Sequence, residues 1–146
     1  RHSSFYQHLL ELFTQTKCYQ EKLISITKKG AAGLEEISTI MRNIRRVPPM
    51  MLGGQKVVRL EDFESSVSSD LLNHQSTPID LPKSNVLIFY TEDGSMIAMR
   101  PSGTEPKIKY YISVNTELNE VDQYASVKSI LLDKIDQITV DLESLR

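Results

Sequence analysis

Arg100, Pro101, Ser102, Gly103, Thr104, Glu105, Pro106 and Lys107 follow one another in the chain, and together they offer the groups a phosphate dianion needs. The Arg100 guanidinium is a planar fork that can donate to two oxygens at once. Ser102 and Thr104 each carry a hydroxyl donor, and Gly103, without a Cβ, lets backbone N–H groups approach an anion. Pro101 and Pro106 restrict the segment at both ends, so less conformational freedom is lost when a ligand arrives. These residue types read as an anion cradle built from Arg100, Ser102, Gly103 and Thr104. Composition alone fits a solvated surface turn equally well, because Ser, Gly and Pro are also what turns require.

Residues 107–114 continue as a strand in which Ile108, Tyr110, Ile112 and Val114 face the core and Lys107, Lys109 and Tyr111 face the other way. Lys107 then stands beside the cradle, and Lys109, one pleat further, is a secondary candidate. Arg100, Lys107 and Lys109 against Glu105 make a local positive excess in a chain whose 17 Lys and Arg and 19 Asp and Glu leave a formal charge of -2. That balance excludes a dedicated binder of nucleic acid or of an anionic membrane surface, so an anion site must be local.

Other candidates are weaker. His2, His8 and His74 lack the spacing of a metal site, so no metal ligands are assigned. Arg42, Arg45 and Arg46 fall at the end of a helix, where the backbone dipole favours a cation by about 0.3–1 kcal/mol. The single cysteine, Cys18, reads as a packed thiol and fits a reducing, cytoplasmic setting. Apolar runs such as residues 86–89 are far short of the roughly 20 residues that span a bilayer.

The elements that must position the cradle can be read from periodicity. Ile24 and Ile26 alternate with Ser25 and Thr27, which predicts a strand over 21–29. Leu34, Ile37, Met41 and Ile44 share a face of a helix over 34–46, which Pro48 and Pro49 end. Gly53 and Gly54 turn the chain into a strand over 56–60. Residues 61–82, rich in Ser, Pro and acids, read as a solvated loop. Strands over 85–90 and 95–100 flank Glu92, Asp93 and Gly94, and an Asp-Gly pair between apolar runs is a strong hairpin signal. A final amphipathic helix, capped near Thr116, carries Leu118, Val121, Val127, Leu131, Ile135, Ile138, Leu142 and Leu145. This order predicts an α+β fold, a mainly antiparallel sheet with helices packed on one face. The chain opens without methionine on an amphipathic stretch, Phe5, Leu9, Leu12 and Phe13 behind Ser4, as expected of a piece of a longer protein.

Residues 100–111 resemble the phosphate-binding loop of the last domain of the phosphohexomutases, the phosphoglucomutase and phosphomannomutase family. The likeness extends to residues 80–87, the Glu92-Asp93-Gly94-Ser95 turn, residues 19–27 and the Gly53-Gly54 strand entry. It implies a TATA-binding-protein-like C-terminal domain over 18–146, behind a tail helix of a preceding domain over 1–17. It further implies that this fourth domain closes over a hexose phosphate or sugar bisphosphate, gripping the non-reacting phosphate with Arg100, Ser102, Gly103, Thr104 and Lys107. The whole enzyme would move a phosphoryl group reversibly between the 1- and 6-positions through a phosphoserine, with Mg²⁺ at the transferring group. No phosphoserine loop, acidic metal loop or sugar-reading loop is present in the sequence, so the piece is expected to bind without catalysing, and its partners are the upstream domains. The alternative function is a noncatalytic protein-interaction module using the sheet face or the last helix.

Overall fold

The computed structural model describes residues 17–117 and 124–145, and period-two alternation marks its central strands. The elements run β1 (Lys17–Thr27), α1 (Gly33–Arg46), β2 (Met51–Leu52), β3 (Gln55–Asp62), β4 (Val67–Asp70), β5 (Gln75–Pro78), β6 (Leu87–Thr91), β7 (Met96–Pro101), β8 (Lys107–Glu117) and α2 (Tyr124–Glu143). The strands form one sheet in the order β1-β8-β7-β6-β3-β4-β5, with the short β2 also on β3. Every pairing is antiparallel.

One face of this sheet is dry. Leu87 and Phe89 of β6, Ile97 and Met99 of β7, and Ile108, Tyr110, Ile112 and Val114 of β8 are buried there. They join Ile37, Ile40, Met41 and Ile44 of α1 and Val127, Leu131, Ile135, Ile138 and Leu142 of α2 in a single cluster. Both helices therefore cover the same face, as the alternation predicts. Full burial of side chains of this size contributes about 1.5–3 kcal/mol each, which makes the two helices and the central strands one cooperative unit. Burial also pushes the Tyr110 hydroxyl up to about 12, so it stays neutral.

The turns hold the layers in place. Gly53 and Gly54 have φ of +62° and +76°, the pair of left-handed residues that a tight two-residue hairpin turn requires. The Gly53 amide donates to Asp141 Oδ2 at 2.7 Å, and a Cβ at Gly53 would fall 2.5 Å from Ile138 Cγ1. The β2–β3 turn thus lies directly on α2. The β6–β7 turn is pinned by a polar network. The Thr91 hydroxyl and the Ser95 amide donate to Asp93, Lys134 Nζ meets Asp93 at 2.9 Å and the Asn115 carbonyl at 3.2 Å, and Asn115 Nδ2 donates to the Gly94 carbonyl at 2.7 Å. One lysine of α2 therefore ties the hairpin to β8.

Several expectations are corrected. Residues 61–82 are not an irregular loop: β3 runs on to Asp62, and β4 and β5 form a hairpin. Its strands are half-exposed and exposed throughout, so no apolar alternation marks them, and Pro78 is tolerated because β5 is an edge. The turn between them is made by Asp70, whose carboxylate accepts from the Leu72 and Asn73 amides at 2.9 and 3.1 Å. Those bonds hold its pKa below the ordinary value. β1 occupies 17–27 rather than 21–29, because all of it pairs with β8. Thr116 lies within β8 and caps no helix. On α1, Ile40 takes the core position expected of Leu34, which is 48% exposed. Arg45 does more than answer the helix dipole, since its Nε sits 3.2 Å from both Asp62 carboxylate oxygens and its NH2 donates to Asn85 Oδ1. The readings on the stretch behind Ser4, on His2, His8, Leu118 and Val121, and on the Cys18 side chain lie outside what is described.

Burial raises the Asp93 carboxyl, but hydrogen bonds from Thr91, Lys134 and Ser95 outweigh it and bring its pKa from 3.8 down to about 2. The folded value lies below the unfolded one, so its stabilisation is complete above the unfolded pKa and is lost as pH falls from about 5 toward 2. Asp93→Asn is expected to lower stability at pH 7 by about 2 kcal/mol and to flatten the acid limb in that window. Denaturant melts of both proteins at pH 7 and pH 3 check this; parallel acid limbs would contradict it.

Candidate anion-binding site

Because Ile97 and Met99 face the core, Arg100 belongs to the opposite, open face of β7. Lys109 belongs to the same face of β8, and the register pairs the two residues directly, Arg100 with Lys109 and Pro101 with Ile108. Directly opposed residues of antiparallel strands have Cβ atoms about 4.5–5.5 Å apart, so two cations stand side by side. Both are exposed, and neither has an ion-pair partner among the described residues. Like charges opposed in this way are mildly destabilising and are relieved by an anion between them.

The connection from β7 to β8 closes over this pair. The Ser102 amide donates to the Lys107 carbonyl at 2.8 Å and the Lys107 amide to the Glu105 carbonyl at 2.8 Å. The Glu105 amide donates to Ser102 Oγ at 3.3 Å, which uses the hydroxyl as acceptor and leaves its proton to give to a ligand. No bond from the Gly103 or Thr104 amide occurs among the described residues, so both donors are free. The result is a cavity of about 310 Å³ lined by Arg100, Pro101, Ser102, Gly103 and Lys109.

The structure therefore gathers Arg100, Ser102 and Gly103 around one space and adds Lys109. Thr104 lies exposed at the loop tip and off that lining. Lys107 is also off it, with its ammonium 3.2 Å from the Glu105 carboxylate, so part of its charge is already answered. Nearness along the chain and the family resemblance favour Lys107 over Lys109; strand pairing, which the sequence shows only indirectly, brings Lys109 beside Arg100.

Two larger hollows lie nearby. One of about 720 Å³ between α1 and the end of α2 carries Glu35, Glu36 and Glu143 against Lys28, a charge balance that repels anions. The other, of about 480 Å³, shares Pro101, Ser102 and Gly103 with the cradle but turns toward α1, where Arg45 is balanced by Asp62 and Glu64 and a single cation, Arg42, stands exposed without an ion-pair partner among the described residues. The smallest of the three alone sets two unpaired cations side by side on register-paired strands, which favours it for a dianion. The sequence reading did not find Gly33, whose place beneath Pro106 is a long-range contact. Its only local sign is a glycine at a helix start where one is not conformationally needed.

Among the described residues no group of three or more His, Cys, Asp or Glu side chains is placed to hold a metal ion. No described helix is long and apolar enough to cross a membrane.

Comparison with known proteins gives the family. The family model for the phosphoglucomutase/phosphomannomutase C-terminal domain matches residues 55–127, from β3 through the loop into α2. A phosphoglucomutase of Staphylococcus epidermidis is 43% identical over 99 residues, 68% of this chain and 18% of that protein. One from Staphylococcus aureus is 39% identical over 106 residues, 73% of this chain and 19% of its own length. A third, from Staphylococcus saprophyticus, is 31% identical over 121 residues, 82% of this chain and 22% of that protein. The chain spans about a fifth of the length of these curated relatives. With the sheet, the loop and the sequence match in agreement, the chain belongs to the phosphoglucomutase/phosphomannomutase family, as its C-terminal domain.

Proposed function

We propose that this domain grips the phosphate ester of a sugar phosphate and orients it for phosphoryl transfer carried out by other segments of a phosphoglucomutase-type enzyme. The observation that carries this reading is the register-paired, unneutralised Arg100 and Lys109 at the mouth of a loop with free backbone donors. Arg100 offers two parallel N–H groups to two phosphate oxygens, Lys109 a compact charge from the neighbouring strand, and Ser102 its hydroxyl proton. The Gly103 and Thr104 amides answer the remaining oxygen, and Lys107 strengthens the local field while sharing itself with Glu105.

Nothing in this loop forms or breaks a bond. Its contribution is to hold the non-reacting end of a hexose phosphate or sugar bisphosphate so that the other end is presented in a defined geometry. One loop recovers only part of the affinity of a closed cleft, so the chain alone should bind weakly. The Mg²⁺ implied for the whole enzyme finds no fit here, because guanidinium, ammonium, hydroxyl and amide donors suit an anion, whereas Mg²⁺ takes carboxylate and water oxygens. Its chemistry, neutralising charge on the transferring group, would be supplied from other segments of the protein.

Arg100→Ala removes a charge-assisted contact worth roughly 1.5–3 kcal/mol, so affinity for glucose 6-phosphate should fall at least about tenfold. Ser102→Ala should cost less, since backbone donors remain. Amide-shift titrations of the chain measure both, and unchanged binding by Arg100→Ala sinks the clamp. Lys109→Gln has the opposite signature in the absence of ligand. Relief of its repulsion with Arg100 should raise stability at low salt by about 0.2–1 kcal/mol, while the gain in melting temperature on adding phosphate shrinks. A variant less stable than the parent in phosphate-free buffer would show that the pair is not held under electrostatic stress.

A further inference from the structure

The far end of the loop rests on groups that touch no ligand. The Lys28 amide, just beyond β1, donates to the Pro106 carbonyl at 2.7 Å. Gly33, the first residue of α1, is buried beneath the same proline. A Cβ on Gly33 would stand 2.7 Å from Pro106 Cβ and 3.0 Å from the Lys28 carbonyl oxygen. Side-chain carbons do not tolerate such separations, so something has to move.

Backbone conformation does not explain this glycine. Gly33 is not among the residues with positive φ, and alanine is the better helix former at such a position. What requires the missing side chain is the proline above it. Pro106 has a stiff ring and cannot swing aside as a long side chain would. It is followed by Lys107, whose carbonyl accepts from Ser102 and whose amide donates to Glu105. A displacement at Pro106 therefore passes through short, directional bonds to Ser102 and Gly103 on the cavity lining.

We propose that Gly33 is a positioning residue for the anion loop: by bearing no side chain it sets the seat of Pro106, and so the place where the Ser102 hydroxyl and the Gly103 amide meet a phosphate. This rests on reading the loop as a phosphate clamp and adds the element that holds the clamp in place. It also links the clamp to the turn between β1 and α1, since Lys28 and Gly33 belong to that turn.

The test is a double-mutant cycle on this chain with inorganic phosphate as the probe, followed by the amide resonances of Ser102, Gly103 and Thr104. Gly33→Ala should weaken phosphate binding at least about tenfold, the scale of loss for misplaced binding groups. In a Pro106→Gly background, which removes the opposing Cβ and leaves only the tight approach to the Lys28 carbonyl oxygen, the same change should cost several-fold less than in the parent. Wild-type affinity in Gly33→Ala, or an equal loss in both backgrounds, overturns the proposal. If Gly33→Ala alone does not fold, recovery of folding in the double variant upholds the contact, and continued failure overturns it. The clamp reading fails separately, through absence of phosphate binding by the parent chain or indifference to Arg100→Ala. In phosphate-free Gly33→Ala, loop resonances that remain at their parent positions overturn the positioning role alone.

Discussion

The register between β7 and β8 is the constraint on which the site depends. It places Arg100 beside Lys109 on the open face, and the same pairing sends Ile97, Met99, Ile108, Tyr110 and Ile112 into the core. Side chains alternate with a period of two, so a slip of one residue would expose the apolar set and bury the charges. Burial of several large side chains at about 1.5–3 kcal/mol each far exceeds the repulsion between two exposed cations, about 1 kcal/mol or less in water. The core thus forces together two charges that would separate if left to themselves, and this unanswered charge is the basis of the proposed anion site.

Two further devices keep that register from being merely local. Lys134 reaches from α2 to Asp93 and the Asn115 carbonyl, so the β6–β7 turn, β8 and the helix are held by one partly buried ammonium. Arg45 does the same at the other helix, joining α1 to the end of β3 through Asp62 and to the approach to β6 through Asn85. Both pairs are largely shielded from solvent, with side chains 15–23% exposed, and so are screened by salt less than surface pairs. Among the described residues the outer hairpin of β4 and β5 makes no comparable ion pair with the helices. Its side chains lie half-exposed or exposed, and its turn is closed by the Asp70 carboxylate alone.

What could be read from the sequence follows from how local each signal is. The Asp93-Gly94 hairpin, the Gly53-Gly54 turn and the alternation of Ile108 to Val114 are written in neighbouring residues, and the fold class follows from them. The apolar positions of α1 were legible except at Leu34 and Ile40: the buried stripe runs through Gly33, Ile37, Ile40, Met41 and Ile44, and Leu34, one position beyond Gly33, falls outside it. The hairpin over 67–78 was not legible, because Ser68, Ser69, Ser76 and Thr77 at a solvated edge carry no apolar period. The anion loop was readable as a set of donors. Its geometry was not: choosing Lys109 over Lys107 as the neighbour of Arg100 depends on strand pairing, and the role of Gly33 depends on a contact with Pro106 across 73 positions of chain.

A chain with a formal charge of -2 can hold a dianion only if the positive charge is concentrated where the ligand sits, and the structure achieves this by separation. Several acidic residues are matched elsewhere. Asp93 is matched by Lys134, Asp62 and Glu64 by Arg45, and Asp70 by its own turn amides. Glu105 is the one carboxylate in the loop, and it is held by Lys107. Arg100 and Lys109 are left as the local excess, framed by a loop that two prolines and three backbone hydrogen bonds have already ordered. Most of the entropy of arranging donors around an anion is therefore lost during folding rather than during binding. That division is what the proposed clamp requires, since donors ordered in advance fix one end of a ligand at little further entropic cost.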